Sequence, residues 1–223
     1  MIFLIITSFI ISTYLIRKRF IMSNNQSNNN SNHPFSKDDA YRNLERVNYW
    51  INNADTKTNF ILTFLCVSLV ILFSNVEFVK GIQIIFKEFL SFRPLQIQSI
   101  ISMFGSLLFV VFLFFIVMSI KYFLNALSAK ISTKEFKERQ IIEKSILFFN
   151  SIKENDNLNS FLNLIKECDS EEKLLKEIHS QTLINSLICS QEFDNYNNGI
   201  NKLKGAGFSL FLLLIFLFIR SIV

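Results

Sequence analysis

Between Ile100 and Ile120 the chain runs for 21 residues without one charged side chain. At 1.5 Å per residue, a helix over that run reaches about 30 Å, the hydrocarbon thickness of a bilayer. Hydrocarbon offers backbone N–H and C=O groups no partner, so a spanning segment has to be a helix or part of a closed barrel. Barrel strands need about 10 residues of strict apolar and polar alternation, and no such stretch occurs. Only five glycines and two prolines punctuate 223 residues, half of them apolar and 26 of them Phe. These features predict an all-α integral membrane protein.

Two further apolar segments, 60–76 and 205–222, complete three core transmembrane helices with 100–120. A fourth, "MIFLIITSFIISTYLI" (Met1 to Ile16), is followed at once by Arg17, Lys18 and Arg19. A cleaved signal would carry its charge before the apolar region, so residues 1–21 read as an N-terminal apolar anchor. Sixteen helical residues cover about 24 Å, so this segment either spans as a fourth helix or lies in the interface; a start at Met22 would leave it out. Asn and Ser dominate 22–36, which reads as a disordered linker because little there can be buried. Residues 37–223 then form the membrane domain.

Residues 121–204, between the second and third core spans, hold 12 basic and 12 acidic residues and predict a cytosolic helical region. There Leu158, Phe161, Leu162 and Ile165 share one helical face. Asp169, with Glu172 three residues on, has capping-box spacing, which starts another helix at Asp169 or Ser170. Nothing breaks that helix before Gly199, so it leads almost directly into the last span, with Arg220 placed to snorkel at the far end. Glu77 to Gln98 carries mixed charges and Pro94, and reads as an extramembrane loop with an amphipathic portion around "IQIIFKEFL". Lys121, Lys130, Lys134, Lys137 and Arg139 follow one span, and Lys37, Arg42, Arg46 and Lys57 precede another. Only Lys80, Lys87 and Arg93 lie between those spans, so the positive-inside rule places 121–204 in the cytoplasm.

Lys and Arg outnumber Asp and Glu by 23 to 18. The basic residues flank apolar runs and form no Arg-rich face, which speaks for membrane orientation and against nucleic-acid binding. Cys66, Cys168 and Cys189 are widely separated, and His33 and His179 are too few for a multi-histidine metal centre. The chain contains no GxSxG, P-loop or HExxH, so no enzyme and no cofactor is expected.

The polar run before the first core span has its own pattern. Leu44, Val47, Ile51, Ala54, Thr58, Ile61, Leu65, Ser68 and Leu72 recur at steps of three and four, a packing seam from the soluble helix into the bilayer. Beside it lies a polar stripe, Asn48, Asn52, Asp55, Asn59 and Thr63. Polar groups at that depth need partners, so the stripe either lines an assembly interface or water path or simply wets the helix. Lys57, with Trp50 and Phe64 at heptad spacing, lies on another face suited to the interface.

Three segments resemble the membrane effectors of Pycsar, the bacterial pyrimidine cyclase system for antiphage resistance. "NNADTKTNFIL" (Asn52 to Leu62) is similar to that family's approach to its first span, and "SILFFNSI" (Ser145 to Ile152) to its "SLIFFG-I" segment. "SEEKLLKEIHSQTLINSLICSQEF" (Ser170 to Phe193) is similar to a family helix, with Gln181, Asn185, Ser186 and Ile188 in register. The resemblance covers roughly Lys37 to the end, in order and with the same three spans. Asn150 stands where the family usually has Gly, Cys189 where Ala is common and Glu192 where Lys is common. Some relatives carry phosphohydrolase domains that need adjacent His and Asp; here Ser180 follows His179 and Pro34 follows His33.

The resemblance implies an inner-membrane protein that answers cyclic UMP or cyclic CMP, made by a partner cyclase during infection, with loss of membrane integrity and abortive infection. In the mechanism expected here, nucleotide binding shifts the last span and protomers then associate through the seam as a homo-oligomer. A cyclic nucleotide asks for a cation at its phosphate, an aromatic for stacking and amide or hydroxyl groups at its base edge. Arg139, Lys144, Ser145, Phe148 and Asn150 near one motif, and Gln181, Asn185 and Ser186 in the other, are the candidate ligand contacts. The alternative is that Phe148 and Phe149 are core and that Gln181 and Asn185 pair between helices. Asn52, Asp55, Lys57 and Asn59 are the candidates for passing the signal into the bilayer. A competing function is a non-gated scaffold or receptor subunit whose cytosolic helices recruit a protein.

Overall fold

The computed structural model describes residues 36–91, 97–128, 141–142 and 144–222, without the side chains of 97–99, 150, 221 and 222. The anchor expected over 1–21, the linker over 22–36 apart from Ser36, and Arg139 lie outside the described residues. Residues 37–223 group as one unit, in which every regular element among the described residues is a helix.

Helix α1, Lys37–Ser74, opens with Asp38 and Asp39, carboxylates that favour the positive end of the helix dipole. Its 38 residues reach about 57 Å, so roughly its first half stands clear of the bilayer. Asn75 ends it and caps the next: its Oδ1 accepts the Phe78 N–H at 2.9 Å and starts α2, Val76–Leu90. The expected loop from Glu77 is therefore helical as far as Leu90, because one side-chain cap lets the chain turn and resume within a single residue.

Helix α3 is Ile97–Leu127 and α4 is the short Phe149–Lys153. Helix α5, Leu158–Glu167, is capped by Asn157, whose Oδ1 accepts the Ser160 N–H at 3.0 Å. Helix α6, Glu171–Ile222, is 52 residues long, about 78 Å of unbroken rod. Its cap falls to Ser170, whose Oγ accepts the Lys173 N–H at 3.3 Å. Asp169 instead forms an exposed ion pair with Lys173 at 2.8 Å. Helices α1, α3 and α6 are long and apolar enough to cross a membrane, as the sequence predicts.

The three pack as a bundle in which α1 runs parallel to α6 and α3 antiparallel to both. Leu65, Phe112, Ile116 and Ala206 form its buried centre, one contribution or more from each helix. The seam on α1 is the face that goes inside, with Ala54, Thr58, Ile61 and Leu65 buried. It is thus consumed within one chain by α6 and α3. Phe64, Phe104, Leu107, Phe208 and Phe211 are exposed on the outer surface, where lipid covers them.

Lipid tails are as apolar as Leu, so close contact, more than water exclusion, holds such helices together. Gly199 lets the Phe123 ring of α3 lie directly on α6, since a Cβ there would meet the ring at 2.7 Å. Gly105 receives Phe216 in the same way at 2.5 Å. Beside the first pair, the buried Ser119 hydroxyl donates to the Gly199 carbonyl at 2.9 Å, a helix-to-helix hydrogen bond that the missing side chain makes reachable.

Candidate functional site

The segment before α4 is fixed to α6 by a buried polar knot. Ser145, 1% exposed, donates its hydroxyl to Glu177 Oε2 at 2.6 Å and accepts the backbone N–H groups of Leu147 and Phe148. Glu177 also accepts from the Ile146 N–H at 3.3 Å, and Ser180 Oγ accepts from the Ile142 N–H at 3.2 Å. A buried carboxylate is costly unless hydrogen-bonded, and these donors meet that need. Ile141, Ile184, Phe148, Leu187 and Ile188 close over the knot. Two of the three segments that carry the family resemblance are thus brought into contact.

A second chain of contacts leads from there to α1. Gln181 Nε2 donates to Asn185 Oδ1 at 2.7 Å, and Asn185 Nδ2 donates to Asn48 Oδ1 at 2.6 Å. Two turns further along α6, Phe193 meets the Trp50 ring edge-on at 6.3 Å, and the Lys57 ammonium lies 5.7 Å above the Phe193 ring. The third resemblance segment is therefore reached as well.

Within the same level lies Glu192, 6% exposed, with Oε2 lacking a hydrogen-bond partner. Burial, and then the Asp55 carboxylate, push its carboxyl up to about 7. Thr58 Oγ1 on α1 is likewise buried and unpartnered. Asn52 and Asn59 are exposed on the outer side of α1.

A cavity of about 250 Å³ opens between the knot, α4 and α5, lined by Lys144, Ser151, Glu154, Asn155, Ser160, Asn163, Leu164 and Glu167. Among the described residues it holds one cation, two carboxylates and four neutral polar side chains. Among the described residues, Lys144 alone of the expected ligand contacts lines it. Phe148 lies in the cluster over the knot, whereas Phe149, the other core candidate, is exposed on α4; Ser186 donates to the Leu183 carbonyl at 2.8 Å, and Asn150 contributes its backbone to α4. Glu177 and Ser180 escaped sequence reasoning because each is one polar residue among many on a charged helix, and Glu192 drew notice only as a departure from the resembled pattern. Only the docking of a distant loop or helix singles them out.

At the opposite end of the bundle, Arg220 forms an ion pair with Glu88 of α2. Its Nη1 donates to Ser102 Oγ of α3 at 2.9 Å, and Ser102 donates to Glu88 Oε2. The free snorkelling expected of Arg220 is replaced by a protein partner that sequence spacing gave no reason to pair with it.

A family model for the Pycsar effector protein domain matches residues 39–220. The chain is also 34% identical over 176 residues to the Pycsar effector protein GmPycTM of Gulbenkiania mobilis, covering 75% of this chain and 85% of the relative. No solved structure matches it. The matched range takes in all three spans, the knot and the polar junction, and a similarity of that extent and order means that the chain belongs to the Pycsar effector family of transmembrane proteins.

Proposed function

We propose that this protein is an antiphage effector that binds a cyclic pyrimidine nucleotide on its cytoplasmic lobe and converts binding into disruption of the cell membrane. The observation that carries the proposal is α6 itself. One rod begins beside the cavity, holds the knot and the α1 junction along its length, and ends on the far side of the bundle. A change at the lobe has no hinge in which to be absorbed. The excess of basic residues around the lobe side supports a cytoplasmic orientation.

The cavity is the site we favour for the nucleotide. Lys144 supplies the charge for its phosphate, Asn155 and Asn163 suit the base edge, and Glu154 and Glu167 can accept from the ribose hydroxyl or a base N–H. Ser145 is left to hold the loop that positions Lys144. A partner cyclase would make the ligand, and protomers would assemble in the membrane as the bundle rearranges. The knot, occupied in one chain, keeps the loop ready without ligand.

Isothermal titration of the purified protein with cyclic UMP and cyclic CMP tests this. Binding of one of them is expected, weakened about tenfold or more in Lys144→Ala through loss of a charged hydrogen bond. Absence of heat with both at high micromolar concentration overturns direct sensing. A scaffold role draws support from the apolar face of α5, where Leu158, Leu162 and Ile165 remain exposed. That role predicts a co-purifying protein and a membrane potential indifferent to either nucleotide.

A further inference from the structure

The network of Glu88, Ser102 and Arg220 joins three elements that are far apart in sequence, α2, α3 and the last turn of α6. It is closed: each member bonds both others. Ser102 is completely buried, whereas the side chains of Arg220 and Glu88 are 25% and 34% exposed. The charges therefore sit at the rim of the bundle, with the hydroxyl beneath them. The contacts next to it are tight, with Leu217 against Gly81 and Phe216 against Gly105.

An ionised pair at the end of a span has two stable arrangements. In one, Arg220 is satisfied by Glu88 and Ser102. In the other, its long apolar stem lies along the helix and the guanidinium reaches the headgroup phosphates, which accept as readily as a carboxylate. Because the second state supplies new partners, opening the network costs far less than stripping a charge in dry protein. Such an element can be biased by a modest push, and α6 delivers any push on its cytoplasmic half to this end.

We infer that Glu88, Ser102 and Arg220 form a resting-state clasp, which fixes the outer end of α6 to α2 and α3 and opens when the bundle rearranges. The clasp adds to the nucleotide-driven disruption proposed above and rests on it only for the natural trigger. While closed, it keeps the last span from sliding past α3. Once opened, it frees α6 while leaving the core around Leu65 and Phe112 as a pivot.

The test is membrane potential and dye uptake in cells expressing the full chain without any cyclase. Glu88→Gln and Arg220→Gln are each expected to raise nucleotide-free depolarisation roughly tenfold, within the range of ordinary coupling between sites. The exchanged pair Glu88→Arg with Arg220→Glu should return it toward the silent level. Variants that accumulate normally in the membrane and stay as silent as the parent overturn the clasp, as does leakage that the exchanged pair leaves unrepaired. Should the variants fail to accumulate, Ser102→Ala, which removes only the bridging hydroxyl, provides the same comparison; silence there overturns the clasp. Parent protein that ignores both nucleotides while Glu88→Gln leaks would refute sensing and retain the clasp.

Discussion

Glu192 illustrates how one residue can set the tightness of a helix pair. Its carboxyl lies buried between α6 and α1 with an unpartnered oxygen and Asp55 close by, a setting that tolerates the neutral acid and penalises the carboxylate. The folded value near 7 lies above the ordinary 4.5. Stability from this group is thus fully present below about 4.5 and is lost as pH rises from there through about 7, by roughly 3 kcal/mol in all. Thermal unfolding in detergent should therefore show a lower melting temperature at pH 8 than at pH 5. Glu192→Gln, which keeps the shape and removes the titration, should flatten the difference and be the more stable protein at pH 8. Asp55→Asn should keep most of the slope, because burial is the larger cause. An unchanged slope in Glu192→Gln would assign the effect to another group. Nothing in the sequence around Glu192 discloses this; the position becomes meaningful only once Asp55 lies opposite.

At the scale of elements, what was legible followed from periodicity and what was not followed from docking. The seam from Leu44 to Leu72 identified the buried face of α1, since a stripe at steps of three and four can serve only one side of a helix. The same pattern could not tell whether that side meets a second copy or the chain's own α6, because both offer the same surface. The continuity of α6 was likewise readable: no Pro lies between Ser170 and Arg220, and Gly199, Gly205 and Gly207 are each tolerable within a helix. This continuity gives an element-scale prediction. Asn198, exposed on α6 between the lobe and the span, can be replaced by Pro, which removes one helical hydrogen bond and kinks the rod at a cost of about 3 kcal/mol. Asn198→Pro should still insert and still bind nucleotide, yet fail to depolarise cells. Full toxicity in that variant would show that the lobe signals through another route, such as the Asn48 and Trp50 contacts with α1.

For the whole molecule, the three-span architecture could be written down from charge and hydropathy because bilayer thickness and backbone satisfaction leave so few choices. The arrangement of the lobe between the second and third spans could not, since its candidate residues were chosen by what a nucleotide would need, whereas the fold places Ser145 in a knot and Phe148 in a small core. The matched domain begins at residue 39 and the unit that carries the bundle at Lys37, so the N-terminal apolar segment falls outside both. A chain begun at Met22 should therefore reach the membrane and retain nucleotide-dependent depolarisation at close to the full-length level. Protease accessibility on spheroplasts and intact vesicles would test whether the 121–204 region lies on the cytoplasmic side in both forms. If the shortened chain inserts normally but has lost its toxicity, the segment works as a fourth helix of the effector. If it fails to reach the membrane at all, the segment is the signal that targets it there.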